Sequence, residues 1–323
     1  MPLQETRNDA IRSLNAANFS GKTLALIHTG AALALSLIIT ICNLVLAGYI
    51  DNTGGLAGIG TRSVLQAVQS VLSIGSSVCL PFWQIGFLFA CIGYARNEAV
   101  APSSLLEGFH RFGPILRLFL LETVIFVGVF MACFYASGTL IMFTPFFDTM
   151  AEAMEPIMNA TVSPETLFSD PAVMDAMLEA ATPMYVIAGI LFFPIAIFLS
   201  YRLRMAQFAV MDDAPGAFAA IVGSFRMMRG NCRSLFKLDL SFWWFYGLKI
   251  LAAVIACGDV LLSLCGVSLP VSPELLFFGF YGVYILLELV LNWQFSAYVQ
   301  TTYAHCYEKL KANLPKPKMR IEG

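Results

Sequence analysis

The segment LFKLDLSFWWFYGLKILAAV, residues 235–254, is mostly apolar and aromatic, yet it carries Lys237, Asp239 and Lys249. A helix needs about 20 mostly apolar residues to cross a membrane, and this segment belongs to one of six such runs. The runs cover residues 25–49, 66–94, 115–143, 184–206, 235–263 and 275–303. They are too long, and too uniformly apolar, for the alternating strands of a membrane barrel. The sequence therefore predicts an all-α protein with six membrane-spanning helices.

The composition agrees with a membrane protein. Of the 323 residues, 58% are hydrophobic and only 12% are charged, whereas a soluble domain has about 25% charged residues. The eight cysteines are scattered, without a C-x-x-C pair or a Cys/His cluster, so a disulfide framework is not expected. We also expect no metal, no cofactor and no nucleic-acid partner.

The positions of lysine and arginine predict the side of the membrane on which each connection lies. All of them except Arg62 and Lys249 fall in the N-terminal segment, the second and fourth connections, or the C-terminal tail. Basic residues accumulate on the cytoplasmic side of membrane proteins, so we expect both termini in the cytoplasm. Residues 1–24 then form a cytoplasmic amphipathic segment, residues 25–304 the membrane domain, and residues 305–323 a basic cytoplasmic tail, in which we expect residues 309–320 to be disordered.

The third connection, residues 146–183, is the largest segment expected on the opposite side. It carries acidic residues but no basic residue, and Met150, Met154 and Met158 recur at helical spacing. We interpret it as two short amphipathic helices at the outer membrane surface. A metal site formed by methionines and acids is the alternative. A protein partner at this acidic loop is a further expectation.

Two segments of the chain resemble each other. Residues 105–126 read LLEGFHRFGPILRLFLLETVIF, and residues 221–243 read IVGSFRMMRGNCRSLFKLDLSFW. In both, Leu-Phe-x-Leu precedes an acid, which is Glu122 in the first segment and Asp239 in the second. We interpret each unit as a descending span, a short basic interfacial helix and a rising span. Chance similarity between apolar segments is the alternative.

The two acids of this repeat have candidate partners. Arg96 closes the descending span of the first unit, and Arg202 and Arg204 close that of the second. A carboxylate inside a membrane must be paired or reached by water. We therefore expect Glu122 to pair with Arg96, and Asp239 with Arg202 or Arg204. The alternative is that each acid simply faces headgroups and water.

Lys249 has a candidate partner in Glu288. The two residues lie at equal distances from the middle of the turn at residues 264–274, so an antiparallel hairpin places them at the same depth, near the bilayer centre. Asn292 follows Glu288 by one helical turn on the same face. Three interpretations stay open: a buried ion pair that fixes the hairpin register, a polar path for a solute, or a Lys249 side chain that extends to the headgroups or pairs elsewhere.

A group of basic residues suits an interfacial helix on anionic lipid. Arg226, Arg229 and Arg233 lie in FRMMRGNCR, residues 225–233, and each basic residue near such a surface contributes about 1 kcal/mol. Enzyme motifs are absent from the sequence, including H-E-x-x-H, the Walker A loop and G-x-S-x-G. We therefore expect no catalytic residues.

Two motifs in the last third of the chain carry a family resemblance. FRMMRGNCRSLFKLDLSFWW at residues 225–244 and TTYAHCYEKLK at residues 301–311 resemble the pattern of a bacterial integral membrane family, domain of unknown function nine-seven-five. The resemblance extends over residues 213–310. The span layout is also similar to the membrane domain attached to some glycerophosphodiester phosphodiesterases, without their catalytic domain. The resemblance implies a bacterial inner-membrane protein without an assigned activity.

The sequence leaves two main hypotheses for the function. The leading one is a non-enzymatic accessory or scaffold protein that contacts anionic membrane lipids on its cytoplasmic side and a partner through its acidic loop. The alternative is a transporter or channel-like carrier of a small solute or ion, with Lys249 and Glu288 lining the path. A lipid-processing enzyme is a third. A carrier needs a water-accessible cavity that reaches Lys249, whereas a scaffold is densely packed there.

Overall fold

Helices account for every regular element in the residues that the structure describes. The computed structural model describes residues 3–52, 58–144, 147–148, 171–212, 216–264 and 272–314. Five helices in this part of the chain are long and apolar enough to cross a membrane, and a bent pair of helices would make a sixth span. The predicted all-α membrane fold is therefore confirmed. Residues 149–170 of the acidic connection 146–183, with most of the first expected amphipathic helix, lie outside the described residues. Residues 171–181, expected as a separate short amphipathic helix, are instead the start of one long helix, Pro171–Leu203.

The helices follow the predicted spans and extend beyond several of them. Their bounds are α1 Leu3–Ala16, α2 Gly21–Asn52, α3 Gly58–Arg96, α4 Glu107–His110, α5 Phe112–Ile141, α6 Pro171–Leu203, α7 Ala206–Met211, α8 Ala217–Met228, α9 Cys232–Ser241, α10 Trp243–Ala256, α11 Gly258–Leu264, α12 Pro273–Leu291 and α13 Ala297–Ala312. A 3-10 turn at Pro102–Leu106 precedes α4, and a π-helical turn at Asn292–Ser296 joins α12 to α13.

The fifth predicted span, residues 235–263, is not one continuous helix. α9 ends at Ser241, α10 begins at Trp243, and the two helices are bent by 64°. α9 carries several charged residues, whereas α10 is apolar except for its single lysine. The apolar part of this span therefore begins at Trp243, eight residues later than the sequence pattern predicts.

The break between α9 and α10 has a packing cause. Phe242, at the break, is completely buried, and its ring meets those of Tyr298 and Tyr303 edge-on. The Ser241 hydroxyl donates to the Leu238 carbonyl at 2.7 Å, a local bond that competes with regular helix geometry. Burial of one aromatic ring thus overrides the helical preference of a continuous apolar run.

The chain divides into two compact units, each with its own packing. The first unit comprises Met1–Leu118 and Arg204–Gly323, and the second comprises Phe119–Leu203. In the second unit, Phe130 of α5 meets Phe192 of α6 edge-on with 5.5 Å between the ring centres. Such edge-on aromatic pairs add about 0.5–1.5 kcal/mol to the burial of their surfaces.

The core of the first unit lies at one end of its spans. Buried side chains concentrate in the second half of α3 and in α7 and α13. We name this region the basic end, because Arg96, Arg204 and Lys309 lie there. In the most apolar stretches of α2 and of α12–α13, by contrast, only 22% and 11% of residues are buried within the protein. Exposed apolar side chains of this kind need lipid to cover them.

The C-terminal segment differs from its prediction. α13 continues to Ala312, and Tyr307 and Leu310 are buried among the other helices. Residues 309–312 therefore continue a packed helix and are not the disordered segment expected for them. Aromatic residues spaced by one helical turn give α13 a face that packs, and this pattern is hidden by the neighbouring charges. Residues 315–323 lie outside the described part of the chain.

The two segments of the proposed repeat differ in their helices. In residues 105–126, α5 runs without a break from Phe112, whereas residues 221–243 form α8, a turn and α9. The turn contains Gly230 with a φ of 82°, a left-handed conformation that glycine adopts without strain. The helix boundaries therefore do not confirm the common hairpin layout, although the local match of residue types remains.

Candidate functional site

Lys249 and Glu288 meet between α10 and α12. Lys249 Nζ lies 3.3 Å from Glu288 Oε2, and the Asn292 amide donates to the same oxygen at 2.7 Å. The Glu288 side chain is 12% exposed and that of Lys249 is 34% exposed. Lys249 Nζ also lies 5.5 Å from the centre of the Phe245 ring, within the range of a cation–π contact. The three residues that the sequence groups together thus form one polar cluster.

The position of this cluster along α10 and α12 can be given relative to the basic end. Gln294, in the π-helical turn, accepts a hydrogen bond from Lys22 in the first turn of α2. Glu288 precedes Gln294 by six residues, about 9 Å along a helix axis. Lys249 likewise follows the start of α10 by six residues. The two residues therefore lie at a similar distance from the starts of their helical segments, and their place near the bilayer centre stays a prediction.

Asp239 joins three segments of the first unit. Arg204 Nη1 donates to Asp239 Oδ2 at 2.6 Å, and the Tyr303 hydroxyl donates to Oδ1 at 2.5 Å. The Tyr246 hydroxyl lies 2.9 Å from that of Tyr303, and the Arg204 guanidinium stacks over the Tyr303 ring at 4.2 Å. The structure thus brings Asp239 to Arg204, one of its two predicted partners. Arg202, the other, belongs to the second unit and lies 5.2 Å from an aromatic ring of its own helix.

Arg96 has two carboxylate partners that the sequence did not indicate. Its Nη2 atom lies 2.7 Å from Asp212 Oδ2 and 2.6 Å from Glu308 Oε1. Arg96 therefore ties the end of α3 to the residue that follows α7 and to α13. Glu122, its predicted partner, lies in the second unit, and their pairing stays a prediction.

Asp212 is the centre of this second ion cluster. Besides Arg96, the ammonium of Lys311 lies 2.6 Å and the hydroxyl of Tyr307 2.9 Å from Asp212 Oδ2, and only 4% of the Asp212 side chain is exposed. Burial alone would raise the pKa of Asp212, but the hydrogen bonds from Arg96, Lys311 and Tyr307 outweigh it and hold the pKa below its usual value. The sequence signal for this residue is weak: it is the first acid after the fourth span, downstream of two arginines.

The N-terminal helix is fixed to α13 by polar contacts. Lys309 Nζ lies 2.7 Å from Asp9 Oδ2, and the Ser13 hydroxyl lies 2.9 Å from His305 Nε2. The hydrogen bond from Lys309 lowers the pKa of Asp9. α1 is therefore a packed element of the first unit, with its polar groups directed at the same helix that holds Asp212 and Asp239.

The three predicted lipid-facing arginines lie on the surface. Arg226 is in the last turn of α8, Arg229 follows that helix, and Arg233 is in the first turn of α9. All three side chains are exposed. Their positions on one connection satisfy the geometric requirement for contact with a lipid surface, and this contact stays a prediction.

The described residues offer no group of three or more His, Cys, Asp or Glu side chains that could hold a metal ion. Met150, Met154 and Met158 lie outside these residues, so the alternative of a metal site there stays untested. The strongly buried charges at the basic end are bound to one another in the arrangements described above. Such closed clusters fix the positions of helices.

These observations define a class: a helical membrane protein with several spans, whose helices are connected by ion pairs and hydrogen bonds at the basic end. The sequence profile described as "Protein of unknown function (DUF975)" matches residues 15–314, and the chain therefore belongs to this family. The match is longer than the resemblance expected over residues 213–310. No curated protein and no solved structure matches the chain. The expected likeness to phosphodiesterase membrane domains gains no support from these comparisons.

Proposed function

We propose that this protein is a non-enzymatic accessory or scaffold protein of the bacterial cytoplasmic membrane. Both termini lie in the cytoplasm, and the basic end rests against anionic lipid. The excess of lysine and arginine at that end supports this orientation. The observation that carries the proposal is an exposed face of α9 that combines basic and apolar side chains.

This face, named the α9 face, follows helical spacing. It comprises Arg233, Phe236, Lys237, Leu240 and, just after the break, Trp243. Phe236, Leu240 and Trp243 are 53%, 58% and 68% exposed, and the two basic residues are exposed as well. Water favours the charged members and hydrocarbon favours the apolar ones, whereas the boundary between headgroups and acyl chains favours both. This combination supports contact with a lipid surface.

The polar clusters support a structural role for the remaining charges. Glu288 is bound by Lys249 and Asn292, and Asp239 is bound by Arg204 and Tyr303. A carboxylate with its partners already in contact gains little from a passing solute, because binding would first have to separate the pair. The clusters therefore favour a rigid platform over a solute path.

A comparison of two lipids tests the role of the α9 face. Full-length protein is reconstituted in nanodiscs of phosphatidylglycerol or of phosphatidylcholine, and its Tm is measured in each. We expect a higher Tm in the anionic lipid and a smaller gain for Arg233→Gln with Lys237→Gln, because each basic residue at such a surface contributes about 1 kcal/mol. Arg12→Gln, on α1, is the control and should keep the gain. An unchanged gain in the double variant would count against the lipid contact.

The partner of the proposed scaffold would bind the acidic connection. Its residues 149–170 lie outside the described part of the chain, so this step rests on the sequence, which is acidic and lacks basic residues. Because α6 begins at Pro171, a deletion of residues 149–170 leaves the spans intact. Photo-crosslinking from this loop in cells should yield one defined adduct that the deletion removes. Absence of any adduct from the full-length protein contradicts this part of the proposal.

A carrier of a small solute or ion is the second candidate. The observation that favours it is His28, which is buried in α2 with its Nε2 atom lacking a hydrogen-bond partner among the described residues. A carrier must bring water to Lys249, one-third of whose side chain is exposed. Lys249→Cys, in a background without the eight native cysteines, is therefore treated with a charged thiol reagent from each side, with the cysteine-free protein as the control. Modification supports the carrier, and protection from both sides supports the scaffold.

A further inference from the structure

A pocket of about 240 Å³ opens where α1 meets the start of α2 and the π-helical turn. Its lining includes apolar and polar side chains, namely Ile11, Leu14, Ser20, Lys22, Gln294 and Tyr298. Its volume lies below the roughly 300–1,000 Å³ of pockets for drug-sized ligands. The space therefore suits a small polar group rather than a large organic solute.

Two cations are associated with this pocket: Lys22 lines it, and Arg7 binds its lining residue Tyr298. Lys22 Nζ donates to the Gln294 side-chain oxygen at 3.0 Å, and Arg7 Nε donates to the Tyr298 hydroxyl at 2.8 Å. Within the part of the chain that the structure describes, neither cation forms a salt bridge. Arg96, by contrast, contacts two carboxylates at the basic end. Among the described residues, Lys22 and Arg7 are therefore held by neutral groups, which for Arg7 include the Phe242 ring at 5.5 Å.

The surroundings of the pocket are apolar on one side. Ile11 of α1 is 45% exposed, and Leu26 and Ile27 of α2 are 38% and 39% exposed. Leu26 follows Lys22 by one turn and so lies on the same face of α2. An occupant can thus contact the cation with a charged group and continue along α2 with an apolar chain.

We propose that this pocket binds the phosphodiester headgroup of an anionic phospholipid. The ammonium of Lys22 and the guanidinium of Arg7 have donors left for phosphate oxygens, and such charge-assisted bonds are stronger than neutral ones. The acyl chains then lie along the exposed apolar residues at the start of α2. A dissolved phosphate ion would use the cations but not this apolar surface, so the geometry favours the lipid.

This site is separate from the α9 face, so the two can fail independently. It deepens the proposed contact with anionic lipid by adding a defined binding position that holds α1 against the first span. Gln294 lies in the π-helical turn, where the change of helical spacing alters the direction of side chains. The turn therefore contributes to the pocket as well as to the cluster around Glu288.

Native mass spectrometry of the full-length protein in detergent tests the proposal. The protein is titrated with phosphatidylglycerol and, separately, with phosphatidylcholine. We expect one phosphatidylglycerol bound with an affinity about tenfold higher than that of further lipids, and a loss of about tenfold in Arg7→Gln with Lys22→Gln, the effect of one or two charge-assisted bonds. The matched control is Arg12→Gln on the same helix, which should bind as the wild type does.

Further variants keep the result interpretable if the double variant does not fold. Lys22→Gln alone changes an exposed side chain and should weaken binding, whereas Arg7→Lys with Lys22→Arg retains both charges and should restore it. Equal binding of both lipids, or no loss in Lys22→Gln, overturns the proposal. Displacement of the lipid by inorganic phosphate at equal concentration overturns it in favour of a site for a soluble anion. Arg233→Gln with Lys237→Gln should leave this binding unchanged, which separates the pocket from the α9 face.

Discussion

Tyr303 donates a 2.5 Å hydrogen bond to Asp239, and this bond joins the two motifs on which the family resemblance rests. Asp239 lies in the motif at residues 225–244, and Tyr303 lies in the motif at residues 301–311. The motifs are distant in sequence but adjacent in the fold, where Arg204 binds the same carboxylate. Asp239 and Tyr303 are thereby explained as the two halves of one structural contact between the motifs.

Tyr303→Phe should destabilise the protein by about 1.5–3 kcal/mol, the value of a hydrogen bond to a charged group. The ring still fills its buried position, so the change isolates the hydroxyl. Thermal unfolding in detergent, followed by intrinsic fluorescence, measures the effect. Tyr135→Phe, at a side chain that is 75% exposed, is the control and should leave the Tm unchanged. Equal Tm values for the two variants would show that the bond to Asp239 contributes nothing.

The pair of Lys249 and Glu288 should show coupling in a double-mutant cycle. Lys249→Leu leaves a largely buried carboxylate with only its amide partner, and Glu288→Leu leaves an ammonium without its counter-charge. We expect each single variant to lose about 1–3 kcal/mol and the double variant to recover most of that loss. Membrane abundance and Tm are the measurements. Two stable single variants without coupling would contradict a structural pair and favour the carrier.

Part of this arrangement could be predicted from the sequence because it depends only on the length of apolar runs and on the spacing between residues. Long apolar runs predict spans since the bilayer has a fixed thickness. The register of Lys249 and Glu288 follows from their equal distances to one turn. The pairing of Asp239 with Arg204 follows from both residues lying at the same end of neighbouring spans.

Other features could not be predicted because they depend on tertiary contacts. The helix break at Phe242 requires the rings of Tyr298 and Tyr303 to accept its side chain, and nothing local distinguishes it from other aromatic residues. Asp212 forms its ion pairs only because α3 and α13 place Arg96 and Lys311 beside it. Its sequence neighbours give no indication of those partners.

The cluster at Asp212 should make stability depend on pH. A carboxyl group whose pKa is lower in the folded than in the unfolded state binds fewer protons when folded, so it stabilises the fold above its unfolded pKa of 3.8. This contribution is lost as the pH falls through the lower, folded value. Asp212→Asn should therefore be less stable at pH 7 and lose less stability between pH 5 and pH 3. The measurement is Tm across this range.

A matched variant distinguishes this effect from general acid unfolding. Glu107→Gln removes one acid that is 36% exposed and lies near a histidine at 3.7 Å. It should keep the wild-type loss of stability on acidification. The pKa of Asp9 is lowered as well, by the hydrogen bond from Lys309, so Asp9 adds to the loss of stability in the same pH range. Asp212→Asn should therefore reduce the pH dependence of stability without abolishing it. Identical pH profiles for Asp212→Asn and the wild type would contradict the assignment.

Among the glycines that the structure describes in the first unit, Gly86 and Gly108 should be the least replaceable. A Cβ atom on Gly86 would overlap the carbonyl oxygen of Leu105, and one on Gly108 would overlap that of Phe82. These are backbone atoms of packed segments, so Gly86→Ala and Gly108→Ala should each cost about 1–3 kcal/mol. Gly75→Ala, in the same helix as Gly86 but with nothing within 4 Å of its Cβ position, should instead stabilise by about 0.5–1 kcal/mol. A Tm for Gly86→Ala as high as that for Gly75→Ala would disprove this close approach of α3 and the segment before α5.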